Sequence, residues 1–192
     1  MADSNKVKFG LKNVHYAVAT ETNGVVTYDT PVAIKGAVNL SLDAQGDETN
    51  FAADDNAKYY NVTSNTGYSG DLEVAKFPTS FYEDIFGYIT DDNGNLFEDA
   101  SAEPAHFALL FEFSGDANKT RHVMYYCSCS RPSVASGTTS ETKDPVTESV
   151  TITAAPLPAD SDGHTFVKAS CVEGDASYST WYSAVATYTD TP

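Results

Sequence analysis

The sequence predicts a mostly β protein with one short helix. Apolar residues recur at every second position along most of the chain. Asn-Gly pairs and clusters of Pro, Asp and Gly punctuate those runs. One segment alone departs from the period of two, with apolar residues spaced four apart. At 192 residues, 41% hydrophobic and 12% aromatic, the chain suits one packed domain spanning residues 1–192.

The first strand pattern places Val14, Tyr16 and Val18 against Asn13, His15 and Ala17. Asn23-Gly24 then predicts a tight hairpin turn, because both residues tolerate positive φ. A second run sets Val32, Ile34, Val38, Leu40 and Leu42 on one face. Ala33, Lys35, Ala37, Asn39, Ser41 and Asp43 fall on the other, as in a strand wetted on one side. Residues 44–57 (AQGDETNFAADDNA) are expected to form a long acidic loop whose lone aromatic is Phe51. Loops longer than about 12 residues in compact domains are commonly functional or disordered. Asp71 and Glu73 alternate with Leu72 and Val74, so both acids point away from the core. With Asn39, Ser41 and Asp43 they define a polar face, most simply a solvated one.

The exceptional segment runs from Phe77 to Tyr88, with Phe81 four before Ile85 and Tyr82 four before Phe86. Ser80 with Glu83 fits a capping box, Pro78 is an alternative opening, and Gly87 suits the residue past the helix end. Residues 105–130 predict a long central hairpin: Phe107, Leu109, Phe111 and Phe113 share a face, then a polar turn, then Val123, Tyr125, Cys127 and Cys129. Residues 130–148, rich in Ser and Thr, predict an extended crossover, and further strands are expected at 148–155, 164–172 and 180–188. Residues 1–8 are expected to form a flexible N-terminal arm.

Eleven Lys and Arg against 27 Asp and Glu give a formal charge of −16. Such a chain repels phosphate, which argues against any role that grips nucleic acid. The first ten residues lack the apolar stretch of a secretory signal, and no run approaches the roughly 20 residues that span a bilayer. The expectation is a soluble protein made in the cytoplasm. Cys127, Cys129 and Cys171 do not form a disulfide framework; Cys127 and Cys129 are expected on one strand face as reduced thiols.

Catalytic signatures are missing from the sequence: no phosphate loop, no nucleophile elbow and no zinc-protease helix. His15, His106, His122 and His164 lack ligand spacing. Asp91-Asp92-Asn93-Gly94-Asn95 superficially resembles a calcium loop, but its glycine is misplaced and the closing glutamate is missing, so a tight turn is expected. No catalytic residue, metal or cofactor is expected.

Two blocks resemble the phi13-type bacteriophage major tail protein family. The first lies in residues 36–75 and comprises Gly46-Asp47, Phe51, Ala53-Asp54-Asp55, Tyr59-Tyr60 and Gly67-Tyr68-Ser69-Gly70 leading into a strand. The second is the helix Pro78 to Gly87, followed by Phe107 to Phe113 and the Ser114-Gly115-Asp116 turn. Ala52 stands where family members usually carry Tyr. The likeness covers most of residues 6–155, and 156–192 are less distinctive.

The resemblance implies a β-sandwich or barrel-like tail tube fold with a flanking helix and a long stacking loop. It also implies hexameric rings stacked into a tube whose bore conducts DNA to the host cell, without catalysis or cofactor. The implied partners are further copies of the chain and other tail proteins: tape measure, tail terminator and distal tail. The implied location is the virion of a long-tailed phage. On this basis the 44–57 loop is expected to make the axial contact, through Gly46, Asp47, Phe51, Asp54, Asp55, Tyr59 and Tyr60. Asn39, Ser41, Asp43, Asp71 and Glu73 are expected to line the bore. The alternative is a β-sandwich adhesion or carbohydrate-binding module, which the 12 tyrosines would suit. A small hydrolase and a type VI secretion tube subunit are further readings.

Overall fold

The structure, a computed structural model, describes residues 9–138 and 145–189, with the backbone alone of 51–53 and 56–58. The expected N-terminal arm (1–8) and residues 139–144 of the expected crossover lie outside the described residues. Residues 130–138 and 145–147 carry no helix or strand.

The protein is mostly β. Strands β1 (Leu11–Thr22), β2 (Val25–Tyr28), β3 (Val32–Ala33), β4 (Ala37–Gln45), β5 (Glu48–Ala53), β6 (Asn56–Thr63) and β7 (Gly67–Val74) precede helix α1 (Thr79–Phe86). After it come β8 (Ile89–Thr90), β9 (Leu96–Phe97), β10 (His106–Phe113), β11 (Arg121–Cys129), β12 (Glu148–Ala155) and β13 (Lys168–Cys171). Nine of them form one antiparallel sheet in the order β2-β1-β10-β11-β12-β7-β4, with β3 paired to β1 and β13 to β11. Strands β5–β6 and β8–β9 are separate hairpins.

Strands from both ends of that order feed one apolar cluster, so the sheet curls around it. Tyr16 of β1, Phe107 and Leu109 of β10, Ile152 of β12 and Leu72 of β7 meet there, with Leu40 and Leu42 of β4 packed against them. Helix α1 adds Phe81, Ile85 and Phe86 to the same cluster. Its aromatic rings interlock: Phe81 meets Tyr16 edge-on at 5.1 Å and stacks on Phe77 at 4.7 Å. The capping box is not formed, since Pro78 is the N-cap and no side chain caps the helix. Ser80 instead lies 3.0 Å from the hydroxyl of Tyr16, which donates to Asp84 at 2.7 Å. Gly87, at φ 67°, ends the helix as expected: its N–H donates to Glu83, and that of Tyr88 to Tyr82.

The expected alternation breaks at three bulges or bends. Gly36 separates β3 from β4, and a bulge at Val38 leaves that side chain half exposed rather than in line with Leu40 and Leu42. In β11 a register shift opposite Ala108 inverts the pattern midway. Val123 and Tyr125 therefore enter a second cluster behind the sheet, while Met124 and Cys127 enter the main core. Cys127 and Cys129 do share the main-core face as unpaired thiols, and burial pushes both up, Cys129 to about 12. The strand also changes neighbour there, pairing with β13 over 121–124 and with β12 over 126–129.

The second cluster lies on the outer face of β1, β10 and β11, and the chain after β12 covers it. Of the expected strands at 164–172 and 180–188, the first is reduced to β13. The second is not a strand: a 3₁₀ turn over Tyr178–Thr180 leads to Trp181, which is buried in the cluster. Side chains, not strand neighbours, hold it. The indole N–H of Trp181 points to the carbonyl of His122 at 3.4 Å, and Arg121 donates to the carbonyl of Tyr178.

Glu112, almost fully buried, fastens this cover to the sheet. Its carboxylate accepts from Asn13 at 2.7 Å, Arg121 at 2.9 Å and the Tyr182 hydroxyl at 3.1 Å, and pairs with Lys12 at 3.2 Å. Burial opposes its ionisation, but the bonds from Lys12, Arg121 and Asn13 together outweigh that and hold the carboxyl below its ordinary value. A depressed carboxyl stabilises the fold above its unfolded value and loses that contribution as pH falls through the folded one. Glu112→Ala is expected to cost about 3 kcal/mol, because it strands a partly buried guanidinium. Denaturant titration at pH 7 checks the loss, and the gap between variant and parent should narrow below pH 4.5.

Candidate assembly surface

The segment expected as a loop is a β-hairpin. Residues 48–53 and 56–63 pair as β5 and β6, and Asp54 and Asp55 turn the corner with φ of 50° and 57°. Two consecutive positive φ values match the twist that a two-residue hairpin turn requires, and short acidic side chains tolerate them. The hairpin prolongs the β4–β7 pair. Gln45 pairs with Gly67, Ser64 donates to the carbonyl of Asp47 at 2.9 Å, and the Asp47 N–H donates to Ser64 Oγ at 3.0 Å. At the junction sits Gly46, where a Cβ would come within 2.0 Å of the Ser64 carbonyl oxygen, so only glycine fits. The ribbon thus extends beyond the sheet by about six residues, roughly 20 Å.

The described side chains of this arm form no core of their own. Tyr59 and Tyr60 are adjacent in β6 and so face opposite ways; they are 61% and 62% exposed, and Val62 is also exposed. Phe51 pairs in register with Tyr60. One face carries a polar ladder instead, with Asn61 donating to Glu48 at 2.5 Å and to Asn50 at 3.0 Å. A two-stranded hairpin in water is marginal on its own, and this one exposes large apolar groups with no cover among the described residues.

The structure brings the five expected wall residues together. Asn39 pairs with Glu73 and Ser41 with Asp71, and Asp43 lies opposite Ser69. Sequence reasoning missed the third strand of this wall. Ser149, Thr151 and Thr153 of β12 lie opposite Glu73, Asp71 and Ser69, and Ser128 of β11 follows. Their alternation with Val150, Ile152 and Ala154 was the available signal. The hydroxyl of Thr151 donates to Asp71 at 2.8 Å, and Thr147 donates to Glu73. No lysine or arginine among the described residues is ion-paired with Asp43, Asp71 or Glu73. The result is a largely exposed, net negative face, four strands wide.

Beside that wall, β4 bonds to β7 along one edge and has no strand along the other among the described residues. Strand β2 ends the opposite side of the sheet in the same way. Open edges of this kind present unpaired N–H and C=O groups to a neighbour.

Groups with metal or turn chemistry are engaged locally. Asp91 accepts from the N–H groups of Asn93 and Asn95 at 3.0 and 2.7 Å, closing the β8–β9 turn as expected. Asp160, Asp162 and His164 bring ligand atoms within 4.8 Å of one another on an exposed loop. One oxygen of Asp160 is taken up by the N–H groups of Asp162 and His164. No helix among the described residues is long and apolar enough to cross a membrane. Comparison with protein-family models and with curated proteins finds no match to this chain.

Proposed function

We propose that the chain is a structural subunit that joins identical copies into rings and stacks them into a tube, acting as the major tail protein of a long-tailed bacteriophage. The projecting β5–β6 arm carries this reading, because its tyrosines and Val62 are exposed with no cover among the described residues. Burial of about 25 cal/mol per Å² of apolar surface would then be gained between copies rather than within one. The open edges of β4 and β2 supply a second, lateral contact, and repeating one heterologous patch around an axis closes a ring. The family likeness of residues 36–75 gives the reading its specific form: hexameric rings, a DNA-conducting bore, and tape measure, terminator and distal tail proteins as neighbours. The purified chain at high concentration should form rings or filaments visible by negative-stain microscopy. A particle that stays monomeric at every concentration overturns the proposal.

In this reading the negative wall formed by β4, β7 and β12 lines the bore. Carboxylates keep the DNA backbone off the wall over roughly the 8 Å that physiological salt leaves unscreened, which smooths passage without driving it. Replacing Asp71 and Glu73 together by Lys should leave tube assembly intact and slow genome release from virions, measured by the rate of DNA ejection. Unchanged release would place those acids on another surface.

A further inference from the structure

Away from the arm and the wall, a cleft of about 650 Å³ opens between the β1–β2 hairpin and the C-terminal cover. Its volume falls within the range of small-molecule sites, about 300–1,000 Å³. Tyr28 and Tyr125 line it, tied together where the Tyr28 hydroxyl donates to the Tyr125 carbonyl at 3.1 Å. Phe166 and Tyr188 line it too, their ring centroids 4.8 Å apart, and Tyr188 is about half exposed. Aromatic residues thus line a cavity large enough to hold a ligand.

Polar groups complete the lining. Asn23, Thr187 and Tyr188 border the cleft and carry an amide and two hydroxyls. None of these makes a side-chain hydrogen bond to another described residue. In the same lining the Asp160 carboxylate is fixed by its own loop. An exposed tyrosine and a partly buried phenylalanine beside uncommitted amide and hydroxyl groups are complementary to a molecule with apolar C–H faces and a hydroxylated edge. A fatty ligand would leave the polar groups unanswered, and a purely polar one would gain nothing from the rings. A polyanion is opposed by Asp160 and by a net charge of −16.

We infer that this cleft binds a neutral saccharide, with Tyr188 and Phe166 as the stacking platform and Asn23 and Thr187 as hydrogen-bonding partners of its hydroxyls. The inference does not depend on tube formation. It would give the subunit a surface able to hold glycans whether or not copies assemble.

The test is titration calorimetry and ligand-observed NMR on the full chain with cellotriose, triacetylchitotriose, a sulfated oligosaccharide of equal length, and a proline-rich peptide. At least one neutral trisaccharide should bind, and the sulfated one should bind more weakly. Tyr188→Ala, at an exposed position, should weaken binding at least about tenfold, and Tyr188→Phe only about threefold. Circular dichroism should show both variants folded. Failure of both neutral sugars to bind, equal affinity of Tyr188→Ala, or preference for the sulfated sugar or the peptide would each overturn the assignment.

Discussion

On the assembly proposed above, excising residues 48–63 and joining Asp47 to Ser64 through Asn-Gly is expected to give a folded subunit that does not form tubes. The closure is geometrically mild, because Asp47 and Ser64 already face each other across the ribbon and exchange hydrogen bonds. A type I′ Asn-Gly turn suits such a pair. None of the arm's described side chains belongs to either apolar cluster, so the sheet should keep its stability to within about 1 kcal/mol. Assembly should fail almost completely under conditions in which the parent polymerises, read by sedimentation and microscopy. Normal tubes from the shortened chain would move the axial contact elsewhere and leave the arm without a role.

The largest stability effect is expected at Phe81. Its ring is fully buried and meets Tyr16, Phe77, Phe86 and Phe107, all within 5.9 Å between centroids. Those neighbours come from β1, the helix and its approach, and β10, so no local collapse can fill the space. Phe81→Ala should cost about 3–5 kcal/mol, a large part of the 5–15 kcal/mol that holds an ordinary domain together. Chemical denaturation checks this. Phe81→Leu should recover more than half of the loss, and a cost below about 1 kcal/mol would mean that the helix does not seal the core.

Much of this fold was legible where one strand face is buried and the other wet. Val150, Ile152 and Ala154 alternating with Ser149, Thr151 and Thr153 mark β12 to the residue, and Phe107 to Phe113 marks β10. The arm was not legible for the opposite reason: both of its faces are exposed, so Glu48 to Thr63 has no alternation to betray a strand, and Asp54-Asp55 is a weaker turn signal than Asn-Gly. The inversion within β11 was hidden because Val123, Met124, Tyr125 and Cys127 are all apolar enough for either side. Only the pairing register decides which cluster each enters. Trp181 was misplaced in a strand because alternation around it mimics one, whereas its hydrogen-bond partner, the carbonyl of His122, lies some 60 residues earlier in the chain.

That crossing-over within β11 has a consequence for how the molecule comes apart. A strand whose first half is stitched to β13 and whose second half is stitched to β12 acts as a hinge pin through two floors of one building. Prising the C-terminal cover away strips Val123 and Tyr125 of Cys171 and Trp181 and so loosens the same backbone that carries Met124 and Cys127 into the main core. Neither floor can be lifted out alone, so heat should meet a single cooperative melt rather than a loosened lid followed by the main core.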